Sequence, residues 1–166
     1  EGTYPLPEAQ LDRFMFNVVI DYLPEDDEVA VVAQTTSTGG GKIEKLFTGE
    51  ELEACHQVVR SVPVAEDVVR YAVKLASASR PKRAGAPGFV NDFVSWGAGL
   101  RAAQNLVLGG KTRALLDGRA HVTVDDIKAL AFPVLRHRIL ANYRAEAEGV
   151  TVEEIIGRLL AEVAAE

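Results

Sequence analysis

The 166-residue sequence predicts a mainly α fold: a bundle of about six or seven helices hung behind a single short strand. Three observations predict it. Helix-start signals recur: Pro24 ahead of four acids, then Thr48, Thr123 and Thr151, each with an acidic residue three positions on. Between those starts, apolar residues return at helical spacing. Only Met15-Phe16-Asn17-Val18-Val19-Ile20-Asp21 reads instead as a near-continuous apolar run of strand length.

Taken in order, residues 1–14 pass through Pro5 and Pro7 into a short helix ending at Asp12-Arg13-Phe14, and the strand 15–21 follows. A lone strand can neither bury itself nor pair its backbone groups. The segment is therefore expected to belong to a larger fold whose other parts lie upstream. Pro24 and Glu25-Asp26-Asp27-Glu28 start a helix with Val29, Val32 and Ala33 on one face, since proline and early acids suit a helix N-terminus. That helix fades into the Thr-, Ser- and Gly-rich loop 35–42. Thr48 and Glu51 form a capping box for a helix carrying Leu52, Cys55, Val58, Val59 and Val62, stopped by Pro63.

Residues 64–79 predict the next helix, with Val68, Val69, Ala72, Val73 and Ala76 inward, followed by a basic loop at 79–88. Residues 89–97 predict a short helix ending near Gly97, and 98–116 a longer one broken at Asp117-Gly118. Gly109 and Gly110 cost that helix about 1 kcal/mol each relative to alanine, so burial has to hold it. Thr123 starts a helix that bends at Pro133 and runs on through Leu140. Thr151 starts the last one, with Ile155, Ile156, Leu159, Leu160 and Val163 inward.

No run of about eighteen apolar residues exists, which argues against a membrane span. One cysteine, Cys55, cannot form an internal disulfide; a reducing, cytoplasmic location is the expectation. The net charge of −6 argues against nucleic acid as a partner, but it is unevenly spread. Residues 1–67 hold 4 basic and 14 acidic side chains, 68–144 hold 13 and 4, and 145–166 hold 1 and 6. The basic middle either packs against acidic flanks or faces an anion such as a nucleotide phosphate.

Two segments imitate a phosphate loop and fail. Leu106–Thr112 has Asn105 where the pattern needs its first glycine, and Gly39–Lys42 has Thr36 there and Ile43 after the lysine. His56, His121 and His137 have neither i, i+4 partners nor a second cysteine, so no metal site is expected and partly exposed helix histidines are. Cys55 reads as a buried small hydrophobe. Asp125 and Asp126 read as first-turn helix acids. Two arginines remain. Arg13 ends the opening helix immediately before the strand, with Asp12 beside it, and on spacing alone it reads as a surface ion pair. Arg101 lies just after Gly97, Ala98 and Gly99, where a helix start and bare backbone suit an anion, or where an arginine can simply pack along a neighbour.

Around these residues the chain resembles the MoxR family of AAA+ ATPases. Residues 1–16, EGTYPLPEAQLDRFMF, look like the segment after the sensor-1 motif near the end of the nucleotide-binding core. The strand, the Pro-acidic helix, the Gly-x-x-x-Arg helix start at 97–101 and residues 122–139, VTVDDIKALAFPVLRHRI, continue the likeness over nearly the whole chain. The resemblance implies residues 1–22 as the end of an α/β AAA+ core and 23–166 as an all-helical lid. It implies Arg13 as an arginine finger acting in trans on the neighbouring subunit's γ-phosphate, and Arg101 as a sensor-2 arginine contacting phosphate in cis beside Gly97 and Ala98. A planar, always-charged guanidinium suits both roles.

The family typically has serine and proline where this chain has Gly99 and Leu100, which loosens the helix start. The resemblance further implies ATP and Mg2+ as cofactors of the intact protein. Its expected partners are its own upstream core, neighbouring subunits of a hexameric ring, and von Willebrand factor A-domain proteins as clients. With the phosphate loop and acidic Mg2+ motif expected upstream, these 166 residues alone are expected not to hydrolyse ATP. A non-enzymatic helical interaction module, and the lid of another AAA+ branch such as a chelatase subunit, are the competing readings.

Overall fold

The computed structural model describes residues 6–38 and 44–164; the 39–42 glycine loop and the first five residues of the opening motif lie outside the described residues. Two compact units emerge. One takes the residues up to Asn17 together with Gln57 onward; the other is Val18–His56.

The opening helix, α1 (Glu8–Leu11), starts after Pro7 and ends at Asp12, whose N–H donates to the Glu8 carbonyl. The small unit holds α2 (Glu25–Thr35), N-capped by Pro24, and the first part of α3 (Gly49–Ser61). At the start of α3, Thr48 and Glu51 make the capping box: the Thr48 N–H donates to Glu51 at 2.7 Å and the Glu51 N–H to Thr48 Oγ1 at 3.2 Å. Neither helix buries a residue. Cys55 is therefore exposed rather than buried, because the apolar spacing of α3 leads to no core at that position. The expected strand 15–21 is also absent: residues 16–24 carry no regular structure, and Val18 and Ile20 are 71% and 90% exposed. Strand character exists only through a ladder, and no described segment pairs with this one.

In the larger unit, α4 (Glu66–Ala78) and α6 (Leu100–Leu116) pack side by side. Ala72, Leu75 and Ala76 of the first meet a core shared with Ala102, Ala103 and Leu106 of the second. Gly109 and Gly110 are what let α6 approach its neighbours. A Cβ at Gly109 would lie 2.8 Å from Leu130 Cδ1, and one at Gly110 would lie 2.9 Å from Val122 Cγ1. The helix stops in a Schellman motif: Gly118 takes φ +71°, its N–H donates to Leu115 O, and the Arg119 N–H donates to Ala114 O.

Between these helices, α5 (Gly88–Phe93) is shorter than expected. Val94–Trp96 leaves the helix as β1 and pairs antiparallel with β2 (Leu140–Ala141), so the larger unit carries a two-stranded sheet as well as helices. The helix expected from Thr123 through Leu140 is likewise divided. It becomes α7 (Val124–Ala129), α8 (Ala131–Leu135), a turn at 136–138 and then β2. The break falls at Leu130, before Pro133, so Pro133 sits early in α8 where its missing N–H costs little. Two further helices close the fold. These are α9 (Tyr143–Glu148), capped by Asn142 and ended by Gly149, and α10 (Val152–Glu162), with the Thr151–Glu154 capping box. Ile127, Leu135, Ile139, Ile155, Ile156 and Leu159 fill the centre with at most 1% exposure. Each such side chain contributes about 1.5–3 kcal/mol by leaving water.

The turn after α6 is fastened by charge. Arg119 grips both oxygens of buried Asp126 at 2.6 and 2.7 Å, and Asp126 also accepts from the Thr123 N–H at 2.9 Å. These donors hold the Asp126 carboxyl down at about 2, with the Arg119 hydrogen bonds the largest cause. Leu106–Thr112 lies wholly inside α6, and Lys111 donates to the Arg60 carbonyl, so this stretch is helix and not a phosphate loop.

Candidate functional site

Residues 12–17 have no regular structure of their own to hold them, yet the side chains of one turn pin them in place. The pins come from Arg136-His137-Arg138, in the turn between α8 and β2. Arg138 is 4% exposed. Its Nη2 donates to the carbonyls of Asp12 (2.8 Å) and Phe14, its Nη1 to those of Met15 (3.3 Å) and Val134, and its Nε to Asp12 Oδ1 at 3.0 Å. A guanidinium has five N–H donors in a rigid fork, and here all three nitrogens are engaged. Burial pulls the Arg138 pKa down, and its hydrogen bond and ion pair with the Asp12 carboxylate oppose that pull.

Arg136 donates to the Asn17 carbonyl at 2.9 Å and to Glu153 at 2.7 Å. His137 Nε2 lies 3.1 Å from the Phe14 carbonyl, and its Nδ1 is buried without a partner among the described residues. The carbonyl requires the proton on Nε2, and burial lowers the His137 pKa, so the ring is the neutral Nε2–H tautomer near neutral pH. His137 thus sits in a turn and not on a helix; His121 is likewise outside a helix, whereas His56 is an exposed residue of α3.

The second segment singled out from the sequence is the start of α6. Gly97 packs so closely on the preceding turn that a Cβ there would lie 2.3 Å from the Ser79 carbonyl oxygen. Ala98 is fully buried; its N–H donates to Ser79 Oγ at 2.8 Å, and its carbonyl accepts from Arg80 Nε at 2.7 Å. Both backbone groups of Ala98 are therefore spent on the fold, and Gly97 serves close packing. Arg101, one turn on, is exposed at its tip, and its Nη1 is paired with Asp12 Oδ2.

The structure thus joins the two segments that carry Arg13 and Arg101, and the joint is Asp12. Asp12 does not serve as an ion-pair partner for Arg13: it gives one oxygen to Arg138 and the other to Arg101. Arg13 itself is exposed, its N–H bonded to Gln10 O at 3.1 Å, and its side chain makes no hydrogen bond or ion pair among the described residues. A pocket of about 360 Å3 opens beside this joint, lined among others by Asp12, Trp96, Gly97, Gly99, His137 and Arg138. Two larger grooves, of about 620 and 880 Å3, run along α4, and neither is walled by Arg13 or Arg101. Among the described residues there is no group of three or more His, Cys, Asp or Glu that could hold a metal ion. Among them, too, no helix is long and apolar enough to cross a membrane.

Residues 90–159 match the AAA lid domain family. Over 168 aligned positions the chain is 33% identical to chaperone MoxR1 of Mycobacterium tuberculosis, covering 99% of this chain and 43% of that protein. Over nearly its whole length the chain is thus similar to a MoxR-type protein, and its second half matches an AAA lid domain. An uncharacterized protein of Bacillus subtilis, YeaC, is 30% identical over 98% of this chain and 48% of its own length. A crystal structure of a candidate ATPase from Cytophaga hutchinsonii superposes with a TM-score of 0.91 at 34% identity, covering all of this chain and 51% of that one. The chain thus spans about half the length of these relatives. The lid match takes in β1, α6 to α9 and most of α10, and therefore contains both Arg101 and the Arg136–Arg138 clamp.

The clamp was not singled out from sequence. Its one local signal is three consecutive hydrogen-bonding side chains, Arg136-His137-Arg138, set inside the apolar run from Ala131 to Leu140. An amphipathic helix has no use for such a block on successive positions.

Proposed function

We propose that this chain supplies the lid and a trans-acting arginine of a MoxR-type AAA+ ATPase that works in a ring and uses ATP hydrolysis to remodel or assemble partner proteins. Arg13 is the arginine finger: it reaches the γ-phosphate bound by the adjacent subunit and stabilises charge that develops as the bond to the leaving group breaks. Arg101 is the sensor-2 arginine, contacting phosphate in cis and reporting it to the lid. Gly97 and Ala98 act through position alone, by holding the turn from which α6 departs. ATP and Mg2+ would be bound chiefly by the core that such a lid accompanies. The MoxR1 relative is a chaperone by name. That name supports a remodelling role, and von Willebrand factor A-domain proteins are the client class we favour.

One observation carries the reading. The backbone around Arg13 is tied down through the Asp12, Phe14 and Met15 carbonyls, while the Arg13 side chain is left exposed and without a partner among the described residues. A structural arginine is normally spent on its own fold; a finger has to be rigid at its base and free at its tip. The test uses the full-length gene product. Arg13→Ala should reduce ATP turnover roughly a thousand-fold or more while nucleotide still binds. Arg101→Ala should weaken nucleotide binding. Near-normal turnover in Arg13→Ala rejects the finger, and unchanged affinity in Arg101→Ala rejects the sensor.

A further inference from the structure

The Asp12 carboxylate is divided between two arginines of different standing. Oδ1 faces Arg138 Nε at 3.0 Å, and the Arg138 side chain is 1% exposed with further bonds to four carbonyls. Oδ2 faces Arg101 Nη1, and the Arg101 side chain is 46% exposed with Asp12 as its ion-pair partner. The first guanidinium cannot leave without stranding buried carbonyls and its own charge, a loss of the costly kind. The second can swing into solvent at little cost, since exposed ion pairs are weak. A phosphate reaching Arg101 therefore has to compete with a carboxylate already seated on it.

We infer that Asp12 latches Arg101, its carboxylate occupying the guanidinium that nucleotide phosphate must claim while buried Arg138 keeps that carboxylate in place. The inference rests on the phosphate-binding reading of Arg101. Phosphate binding then releases Asp12 from one of its two partners. That changes the charge balance one residue from Arg13, while the carbonyl bonds from Arg138 hold the Arg13 backbone fixed. Asp12 is a positioning residue in this scheme; it touches no phosphate itself.

The test measures affinity of the full-length gene product for a fluorescent non-hydrolysable ATP analogue. Asp12→Asn preserves shape and the Arg138 bonds to the backbone but removes the competing charge. It should tighten binding by about two- to five-fold, the worth of an exposed ion pair. In an Arg101→Ala background the same substitution should leave affinity unchanged, a non-additivity that a purely structural role for Asp12 would not produce. Unchanged or weaker binding in Asp12→Asn, with Arg101→Ala still weakened, overturns the latch and leaves the phosphate role of Arg101 standing. Unchanged binding in Arg101→Ala overturns both. Should Asp12→Asn fail to fold, the guanidinium NMR signals of the wild-type protein decide the matter. Saturating analogue must shift those of Arg101 and leave those of Arg138 in place, and an unmoved Arg101 overturns the latch.

Discussion

Replacing Gly97 by alanine would put a methyl group 2.3 Å from the Ser79 carbonyl oxygen and 2.6 Å from both Arg80 Cα and the Ser79 carbonyl carbon. All three are backbone atoms, so no side chain can rotate away, and the two turns must separate. Overpacking of this kind costs about 1–3 kcal/mol. Separation also stretches the Ala98 N–H bond to Ser79 Oγ and the Arg80 bond to the Ala98 carbonyl, at about 1 kcal/mol each. The expected loss is about 3–5 kcal/mol. At roughly 3 °C per kcal/mol for a domain of this size, the melting midpoint should fall by about 10–15 °C. Differential scanning calorimetry of the 166-residue chain reads this directly. Gly99→Ala is the control, because a Cβ there meets nothing within 4 Å; as a helix N-cap change it should cost about 1 kcal/mol at most. A Gly97→Ala midpoint indistinguishable from that of Gly99→Ala would refute the claim that Gly97 is there for close packing.

Two further outcomes follow from the charged clusters. Asp126 has its folded pKa depressed to about 2 from 3.8, so its contribution is fully present above about pH 4 and is lost as pH falls towards 2. The shift corresponds to about 2 kcal/mol, and urea unfolding across this range should show Asp126→Asn removing that part of the acid slope while wild type keeps it. Arg138→Met should free residues 12–17 before it unfolds the bundle, since it strands the carbonyls of Asp12, Phe14 and Met15 together with the Asp12 charge, at about 3–5 kcal/mol. Trypsin should then cut after Arg13 many times faster than in wild type with α4, α6 and α10 still protected; equal cutting rates would show that the clamp does not hold this segment.

Elements with strong local signals were legible in the sequence. The Pro24, Thr48 and Thr151 starts give α2, α3 and α10 at the expected places, and Asp117-Gly118 ends α6. Shorter elements were not. Three residues of β1 cannot display a period of two, and Val94–Trp96 reads equally well as the end of a helix. Residues 124–140 look like one bent helix because their apolar spacing runs on past the break at Leu130 and the turn at 136–138. The six residues of α9 went unread although Asn142 and Gly149 mark both its ends. Strand 15–21 was expected from composition, but composition describes only a readiness to pair.

The sequence by itself determined the mainly helical fold with its principal caps and stops, because helix propensity, capping and apolar period act over three or four residues. The two arginines proposed to meet phosphate were marked by the resemblance to the MoxR family and not by spacing. Only the tertiary structure decided how those arginines are held. Asp12 meets Arg101 from 89 residues away and Arg138 from 126. A buried guanidinium takes whichever carbonyls the fold brings to it, and nothing local to Arg138 states which ones those are.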